Sequence, residues 1–366
     1  MTICSMGIEV AHFTQKPCVR TLSEYLKRNF PGGQYLSAYE AGFCGTGIHE
    51  QLRELGIDNI IVHAADIPVT DKQKKNKTDL RDSRTIASNL QAGRLTGIHI
   101  LSREQQELRS MFRLREARTK EVTRANNRLK AFLMYFGIEL PEGLVKKEYL
   151  SLKALEWLSN LELASTAGSI TLRQYIEDLK YQRKELYRIT KSLREQVQLN
   201  HLPVYDCLVS LPGIGGVTSM GLIAEIADFS RFDDPDQYCS FLGFCPWEDS
   251  SGDTIRTKGM QPRCNRHLRP LLIEASWIAI RTDRALFAYY SKHARRSGKQ
   301  AIVKVARKLA LMARAVALSK QKYQPDYLEI KRADKKKTLA QNRFSSGMQE
   351  KHKTKKPGNV NTSLPD

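Results

Sequence analysis

The sequence predicts an α/β region followed by a longer, mainly helical region. Over residues 1–100 short apolar runs alternate with amphipathic segments, which is typical of an α/β domain. Beyond residue 100 apolar residues recur at helical spacings. The third observation is charge. The 366 residues carry a formal net charge of +20, as expected for a protein that binds nucleic acid.

The elements of the first region follow from their residue patterns. Short runs rich in β-branched and aromatic residues predict strands. The segment from Val19 has Leu22 and Leu26 on one side, as in an amphipathic helix. We expect strands at Cys4–Phe13, Tyr35–Tyr39 and Asn59–His63, and helices at Val19–Phe30, Gly47–Leu55 and Asp79–Ala92.

Three acidic residues of this region have the chemistry of a metal site. Asp79 and Asp82 are three residues apart, so they share a face on one helical turn. Glu40 ends a predicted strand, and open α/β sheets bind ligands at the carboxyl ends of their strands. Magnesium prefers such carboxylate oxygens. The alternative for the two aspartates is a first helical turn whose acids meet the helix dipole.

A lysine-rich segment, residues 66–77, precedes these aspartates. Beside a metal site its Lys74, Lys75 and Lys77 would clamp phosphate. The alternative is a solvated surface loop. The tail, residues 326–366, is also rich in lysine and poor in apolar residues, so we expect it to be disordered.

Two long helical stretches are predicted after residue 100. The first is Ser102–Phe136. In the second, leucine recurs every seven residues, which favours either a coiled coil between subunits or a helical hairpin within one chain. The heptad residues are Leu172, Leu179, Leu186 and Leu193.

Residues 205–219 run from one predicted helix through a Pro-Gly-Ile-Gly turn into a second, which resembles a helix-hairpin-helix. In such a turn Gly213 and Gly215 would leave backbone N–H groups free to meet phosphate.

A serine pair farther along the chain is a candidate nucleophile. Ser250 and Ser251 stand before Gly252 and are followed by a cluster of cations, which would place a hydroxyl among phosphate-binding groups. The alternative is ordinary turn chemistry. The spacing of three between the arginines predicts that they share one helical face. The candidate phosphate-binding cations are Lys258, Arg263, Arg266 and Arg269.

Cysteine usage and hydropathy narrow the class of protein. The seven cysteines form no Cys-x-x-Cys pair, which argues against a zinc site and a disulfide framework. No apolar run reaches membrane-spanning length. We therefore expect a cytoplasmic protein without a membrane partner.

Six short motifs stand in a defined order: Tyr39-Glu40-Ala41-Gly42-Phe43, Lys77-Thr78-Asp79-Leu80-Arg81-Asp82-Ser83, Leu211-Pro212-Gly213-Ile214-Gly215, Phe241-Leu242-Gly243-Phe244-Cys245-Pro246, Ser250-Ser251-Gly252 and Leu268-Arg269. In this order they resemble the DEDD-type insertion-sequence transposases of the IS110 family, relatives of the pilin-gene invertase. The resemblance covers residues 1–320.

The resemblance implies a RuvC-like domain with the RNase H fold at residues 1–100, a helical coiled-coil region at 101–200 and a mainly helical transposase domain at 201–325. It assigns Glu40, Asp79 and Asp82 to an acidic tetrad that binds Mg²⁺. Ser251, with Ser250 as second choice, matches the serine that attacks DNA. It also implies a dimer or tetramer that acts on donor and target DNA with a noncoding bridge RNA, in the bacterial cytoplasm at the nucleoid.

One departure concerns the first aspartate of the tetrad, which belongs on the first of three strands before the first helix. We expect only one strand before Val19, so the acidic domain is expected to be N-terminally incomplete. Gly7-Ile8-Glu9-Val10 imitates the family's Gly-Ile-Asp-Val, but it lies too close to Glu40. Two alternatives therefore remain: a RuvC-like structure-specific nuclease, and a catalytically impaired nucleic-acid-binding relative of the transposases.

Overall fold

The computed structural model describes residues 1–69, 78–144, 150–248 and 257–325. The chain divides into two compact units, and the second begins at Arg103. No helix in these ranges combines the length and the hydropathy that a membrane crossing requires.

The first unit alternates strands and helices, as the sequence predicts. The helices and strands described after residue 18 begin and end within one residue of the predicted bounds. A 3₁₀ turn spans Ala64–Asp66. The elements are β1 (Thr2–Ser5), β2 (Ile8–His12), α1 (Val19–Asn29), β3 (Leu36–Glu40), α2 (Gly47–Glu54), β4 (Asp58–Val62) and α3 (Asp79–Gln91).

The prediction of one strand over Cys4–Phe13 is wrong, because the chain reverses at Met6 and Gly7. These residues have positive φ angles of 48° and 85°, and Ser5 pairs with Ile8 across the turn. A two-residue turn with both φ angles positive matches the twist of an antiparallel hairpin. Two strands therefore precede α1.

Each described strand of this unit pairs only with the next or preceding strand along the chain. β1 pairs with β2 antiparallel and β3 pairs with β4 parallel, in separate two-stranded sheets. α1 and α2 bury Val19, Leu26 and Leu52 in a small core with Ile57. α3 packs against both β1 and β3. The RNase H-like arrangement stays an expectation.

The second unit is mainly helical, and the predicted helix over Ser102–Phe136 is confirmed. Its elements are α4 (Arg103–Tyr135), α5 (Leu152–Ser159), α6 (Thr166–Val209), α7 (Gly216–Ile226), α8 (Pro235–Leu242), β5 (Pro246–Glu248), β6 (Thr257–Met260), α9 (Leu268–Thr282), α10 (Arg284–Ala294) and α11 (Gly298–Ser319).

α4 and α6 pack against each other as an antiparallel hairpin within one chain. Phe112 of α4 shares a core with Leu193 of α6, whereas Leu129, later in α4, shares a second core with Leu172 and Leu179. The heptad leucines are therefore covered by the chain's own helices, except that Leu186 is only partly buried. Pairing between subunits stays a prediction.

α6 bends at His201, beyond Leu193 and Val197 and within the stretch that packs in the first core. His201 has non-helical angles (φ −136°, ψ 23°), and Pro203 follows two residues later. Proline lacks the backbone N–H and its ring crowds the preceding turn, so a helix kinks there. Beyond the kink, α7 is buried from Thr218 to Ile226 and packs against α4, α6 and α9.

Candidate functional site

Two of the predicted acidic residues occupy the first turn of α3, and the third ends β3. Thr78 caps the helix, because its Oγ1 accepts a hydrogen bond from the Arg81 N–H at 3.4 Å. Asp79 is exposed, whereas Asp82 and Glu40 are half-buried. Because α3 packs against β3, the fold places all three acids on contacting elements.

The three carboxylates supply the hard oxygen donors that Mg²⁺ prefers. Within the ranges that the structure describes, however, no group of three His, Cys, Asp or Glu side chains is arranged to hold a metal ion. The carboxylate oxygens are thus of the kind that magnesium prefers. The three side chains lie on elements that contact each other, but they are not arranged around a common point.

Glu9, in the segment that imitates the family's first strand motif, has another partner. Its Oε2 and Oε1 accept hydrogen bonds from Arg84 Nε and Nη2 at 2.8 and 2.9 Å. The hydrogen bond from Arg84 is the main cause that lowers the pKa of the Glu9 carboxyl. Both oxygens of Glu9 are therefore engaged by α3.

Ser250 and Ser251 lie outside the described residues, as do Lys74, Lys75 and Lys77. Lys258 lies in β6, but its side chain is not described. β5 and β6 flank the serines in sequence and pair antiparallel, with Pro246 opposite Met260.

Arg269 anchors the base of this strand pair. Its Nη1 donates hydrogen bonds to the backbone oxygens of Gln261 at 2.9 Å and Gly243 at 3.3 Å. The Gln261 N–H in turn donates to the Cys245 oxygen at 3.1 Å. Arg269 therefore ties together the segments that enter and leave the strand pair.

The prediction that Arg263, Arg266 and Arg269 share one helical face is wrong. α9 begins only at Leu268. Just before it, Asn265 Oδ1 accepts hydrogen bonds from the N–H groups of His267 and Leu268, each at 3.0 Å. These bonds satisfy backbone N–H groups at the start of the helix, which have no partner within the helix. Arg263 and Arg266 precede the helix and are exposed.

The two glycines of the predicted helix-hairpin-helix have different surroundings. Gly213 has φ +77°, and a Cβ there would lie 2.1 Å from the Ala275 oxygen of α9. Close packing therefore accounts for this glycine. Gly215, which precedes α7, is exposed, and a Cβ there would meet nothing within 4 Å. A phosphate contact at either residue stays a prediction.

A buried carboxylate in the second unit has no counterpart among the sequence predictions. Glu225 of α7 is fully buried, and Arg113 of α4 donates to its Oε1 and Oε2 at 2.7 and 3.0 Å. Asn265 Nδ2 also donates to Oε2 at 2.9 Å, and Arg109 Nη2 donates to the backbone oxygen at 2.8 Å.

The partners of Glu225 decide its protonation state. Burial alone raises the pKa of the Glu225 carboxyl, but hydrogen bonds from Arg113 and Asn265 and the charges of Arg113 and Arg109 outweigh burial and hold the pKa below its ordinary value. The group is therefore charged at neutral pH, and it joins α4, α7 and the segment before α9.

His267 stands in the same segment and forms a hydrogen bond through Nδ1 with Glu116 Oε2 of α4. Arg109, Arg113 and Glu116 follow one another at spacings of four and three, so they share one face of α4. The spacing indicates from the sequence that these three residues share a face. It does not identify their partners, which lie at least 112 residues away in the chain.

Comparison with known proteins gives two family matches in chain order. The model of DEDD transposases matches residues 38–136, which contain Glu40, Asp79 and Asp82. The model described as "Transposase IS116/IS110/IS902 family" matches residues 205–292, which contain Ser251.

Curated relatives agree with these matches. The y4qE protein of Sinorhizobium fredii is 27% identical over 65% of this chain and 57% of its own length. The transposase for insertion sequence element IS1111A of Coxiella burnetii is 25% identical over 68% of this chain and 69% of its own length. The transposase for IS1533 of Leptospira borgpetersenii is 26% identical over 65% and 69%.

The chain thus spans little more than half of the first of these relatives and about two thirds of the other two. The two family matches follow each other along it in the order of the motifs found in its sequence. The chain belongs to the IS110 family of DEDD transposases.

Proposed function

We propose that this chain is a DNA transposase and site-specific recombinase of an insertion sequence. It cuts and rejoins DNA with metal-binding carboxylates and a serine nucleophile. The observation that carries the proposal is the order of the two family matches, of which one contains the three acidic residues and the other the serine.

In this proposal Glu40, Asp79 and Asp82 hold Mg²⁺. When bound there, the ion would offset the charge of the phosphate and of the attacking oxygen. The packing of α3 against β3 supports the assignment, because it puts the three acids on contacting elements. Asp79 is exposed and is therefore accessible to DNA.

Ser251 is the proposed nucleophile, with Ser250 as the second choice. Its Oγ forms a bond to phosphorus while the bond between phosphorus and the sugar oxygen breaks, and the serine proton passes through a base to the leaving sugar oxygen. A serine hydroxyl is a weak nucleophile until a base or metal takes its proton. The acidic site of another subunit is the proposed activator.

The proposed partners are donor and target DNA, a noncoding bridge RNA and further copies of the chain in a dimer or tetramer. Base pairing with the RNA would select the sequence, while the protein contacts shape and backbone. The proposed location is the bacterial cytoplasm at the nucleoid. The excess of cations supports the choice of polyanionic partners.

The test is a denaturing gel of the protein incubated with magnesium, RNA and labelled DNA. We expect a covalent protein–DNA band that Ser251→Ala abolishes and Ser250→Ala retains. Asp79→Asn should reduce metal-dependent DNA processing, whereas Asp58→Asn, in an acid of β4 outside the proposed site, should not.

A covalent band that survives Ser251→Ala and disappears in Ser250→Ala would move the role to the second serine. Metal-dependent cleavage without any covalent band would favour the structure-specific nuclease. Nucleic-acid binding with neither reaction would favour the catalytically impaired relative.

A further inference from the structure

The last part of the described chain has an unusual charge pattern. From Arg284 to Pro325 there are eleven lysines and arginines and no aspartate or glutamate. The acid just before this stretch, Asp283, is buried and accepts hydrogen bonds from the Leu286 N–H and the Tyr323 hydroxyl. It is therefore occupied within the fold.

Two of these cations bind other parts of the fold. Arg307 pairs with Asp236 of α8, and Arg314 Nη2 donates to the backbone oxygen of Phe232 at 2.5 Å. Both hold α11 against the segment around α8. Both are therefore engaged within the fold.

Five others lie between Lys292 and Lys304 in the sequence, where α10 turns into α11. We call them the α10–α11 turn surface: Lys292, Arg295, Arg296, Lys299 and Lys304. All five are exposed. α11 itself is anchored in the core through Ile302, Val305 and Leu309, so the helix that carries Lys299 and Lys304 is firmly packed.

Contacts between the two helices fix part of this surface. Lys304 Nζ lies 3.3 Å from His293 Nδ1, and Lys308 Nζ lies 4.7 Å from the centre of the Tyr289 ring. Lys304 and Lys308 are thus held one turn apart on α11. Like charges at this spacing destabilise a helix by about 0.2–0.5 kcal/mol. A polyanion would relieve that repulsion.

We propose that the α10–α11 turn surface binds the phosphate backbone of a nucleic acid. The binding is distinct from the chemistry at the carboxylates and the serine, and its biological purpose rests on the proposed function. A nucleic-acid backbone presents a row of negative phosphates, which can each pair with an exposed cation. The segment from Arg284 to Pro325 contains no aspartate or glutamate that could pair with these cations instead.

An anionic membrane is the other polyanionic surface to consider. A helix that lies on a membrane presents large apolar side chains for insertion between lipids. The exposed large hydrophobic side chains of α10 and α11, Phe287 and Leu318, lie in the parts of these helices away from the turn, and none is exposed between them in the sequence, where the structure describes every residue. The surface therefore suits a backbone of phosphates better than a bilayer.

The test removes four charges from the full chain in one variant: Lys292→Gln, Arg295→Gln, Arg296→Gln and Lys299→Gln. Lys304 is kept, because it contacts His293. The matched control removes four exposed charges from α5 and α6: Lys153→Gln, Arg173→Gln, Lys180→Gln and Lys184→Gln. Circular dichroism checks that both variants fold.

Binding to a labelled DNA duplex and to an RNA stem-loop is measured by fluorescence anisotropy at several salt concentrations. Each cation that neutralises a phosphate adds about 0.9 to the slope of log K against log salt, so the surface variant should have a slope smaller by about 2 to 4. A reduction confined to DNA assigns the surface to DNA, and a reduction confined to RNA assigns it to RNA.

Unchanged binding by the surface variant would overturn the proposal, and so would an equal reduction in the control, since net charge alone would then explain the effect. Weaker binding only to anionic vesicles would assign the surface to a membrane and also overturn it. Because the assay needs neither metal nor catalysis, its outcome is independent of the covalent-band test.

His293 provides a local readout in the unaltered protein. Desolvation and the nearby charges of Lys304 and Lys292 lower the pKa of this imidazole. A phosphate bound at the surface should raise that pKa, which a histidine NMR titration with and without the nucleic acid measures. An unchanged His293 titration at saturating ligand would place binding elsewhere.

Discussion

At the scale of single residues, the stability of the second unit depends on one buried charge, the carboxylate of Glu225. Glu225 is 0% exposed and is compensated by Arg113, Arg109 and Asn265 from two other segments. Removing one partner of a buried ion pair leaves the other charge without compensation. The pair therefore makes the packing of α4 on α7 sensitive to a single side chain.

Arg113→Ala should lower the free energy of unfolding by about 2 kcal/mol, less than for a wholly buried pair because Arg113 is half-exposed and Arg109 and Asn265 remain. Urea unfolding measures the change. Lys120→Ala, an exposed change on the same helix, should have almost no effect. Equal stability of the two variants would contradict the role given to Arg113.

The same carboxylate gives a pH dependence. The folded-state pKa of Glu225 is below the ordinary 4.5, so its contribution to stability is present above the unfolded-state pKa and is lost as pH falls through the folded-state pKa. Arg113→Ala removes a cause that lowers this pKa. The stability lost on acidification should therefore be smaller in the variant than in the parent, as unfolding curves at a series of acidic pH values would show.

Gly213 and Gly215 offer a second comparison at this scale. Gly213→Ala should destabilise the protein by about 2–4 kcal/mol, since a Cβ would meet the backbone of α9 in a left-handed conformation. Gly215→Ala, with φ −89° and open space, should stay within about 1 kcal/mol of the parent. Thermal denaturation distinguishes the two, and a large effect at Gly215 would contradict this account.

At the scale of elements, α6 joins two hydrophobic cores. Its first half packs with α4 and α5 around Leu172 and Leu179, and its second half brings Leu193 and Val197 to the core of α7, α9 and α11. The bend at His201 lies between the heptad stretch and the final turns of the helix. α6 thereby carries the chain from the helical hairpin into the region that contains β5 and β6.

Leu179→Ala should therefore cost about 2–5 kcal/mol of stability through reduced burial and a cavity. Leu199→Ala lies on the same helix but is 77% exposed, and it should change stability by less than about 0.5 kcal/mol. Chemical denaturation of both variants is the measurement. Similar losses in the two variants would contradict the difference in burial between Leu179 and Leu199.

At the scale of the whole molecule, charge dominates. A net charge of +20 favours association with any polyanion, and the cations occur in separate stretches of the chain. Affinity for DNA or RNA should fall steeply with added salt, by about 0.9 in log K per log unit of salt for each phosphate contacted. Anisotropy titrations at increasing salt measure this slope, and a flat salt response would exclude the electrostatic account.

Local patterns in the sequence were enough to predict the α/β-then-helical order, five elements of the first unit to within one residue, and the helix over Ser102–Phe136. Each follows from a local period or from a local capping residue. The candidate acids were also found this way, because Asp79 and Asp82 are neighbours on one turn and Glu40 ends a recognisable strand.

How distant segments meet depends on tertiary packing. The run of strand-forming residues continued across Met6 and Gly7 and hid the hairpin. The spacing of three suggested a helix that includes Arg263 and Arg266, but α9 begins only at Leu268. The pairing of Glu225 with Arg113 and the anchoring of the strand pair by Arg269 join segments that have no shared local pattern. Periodicity reports which face of an element is buried, whereas the partner on that face depends on the packing of the whole unit.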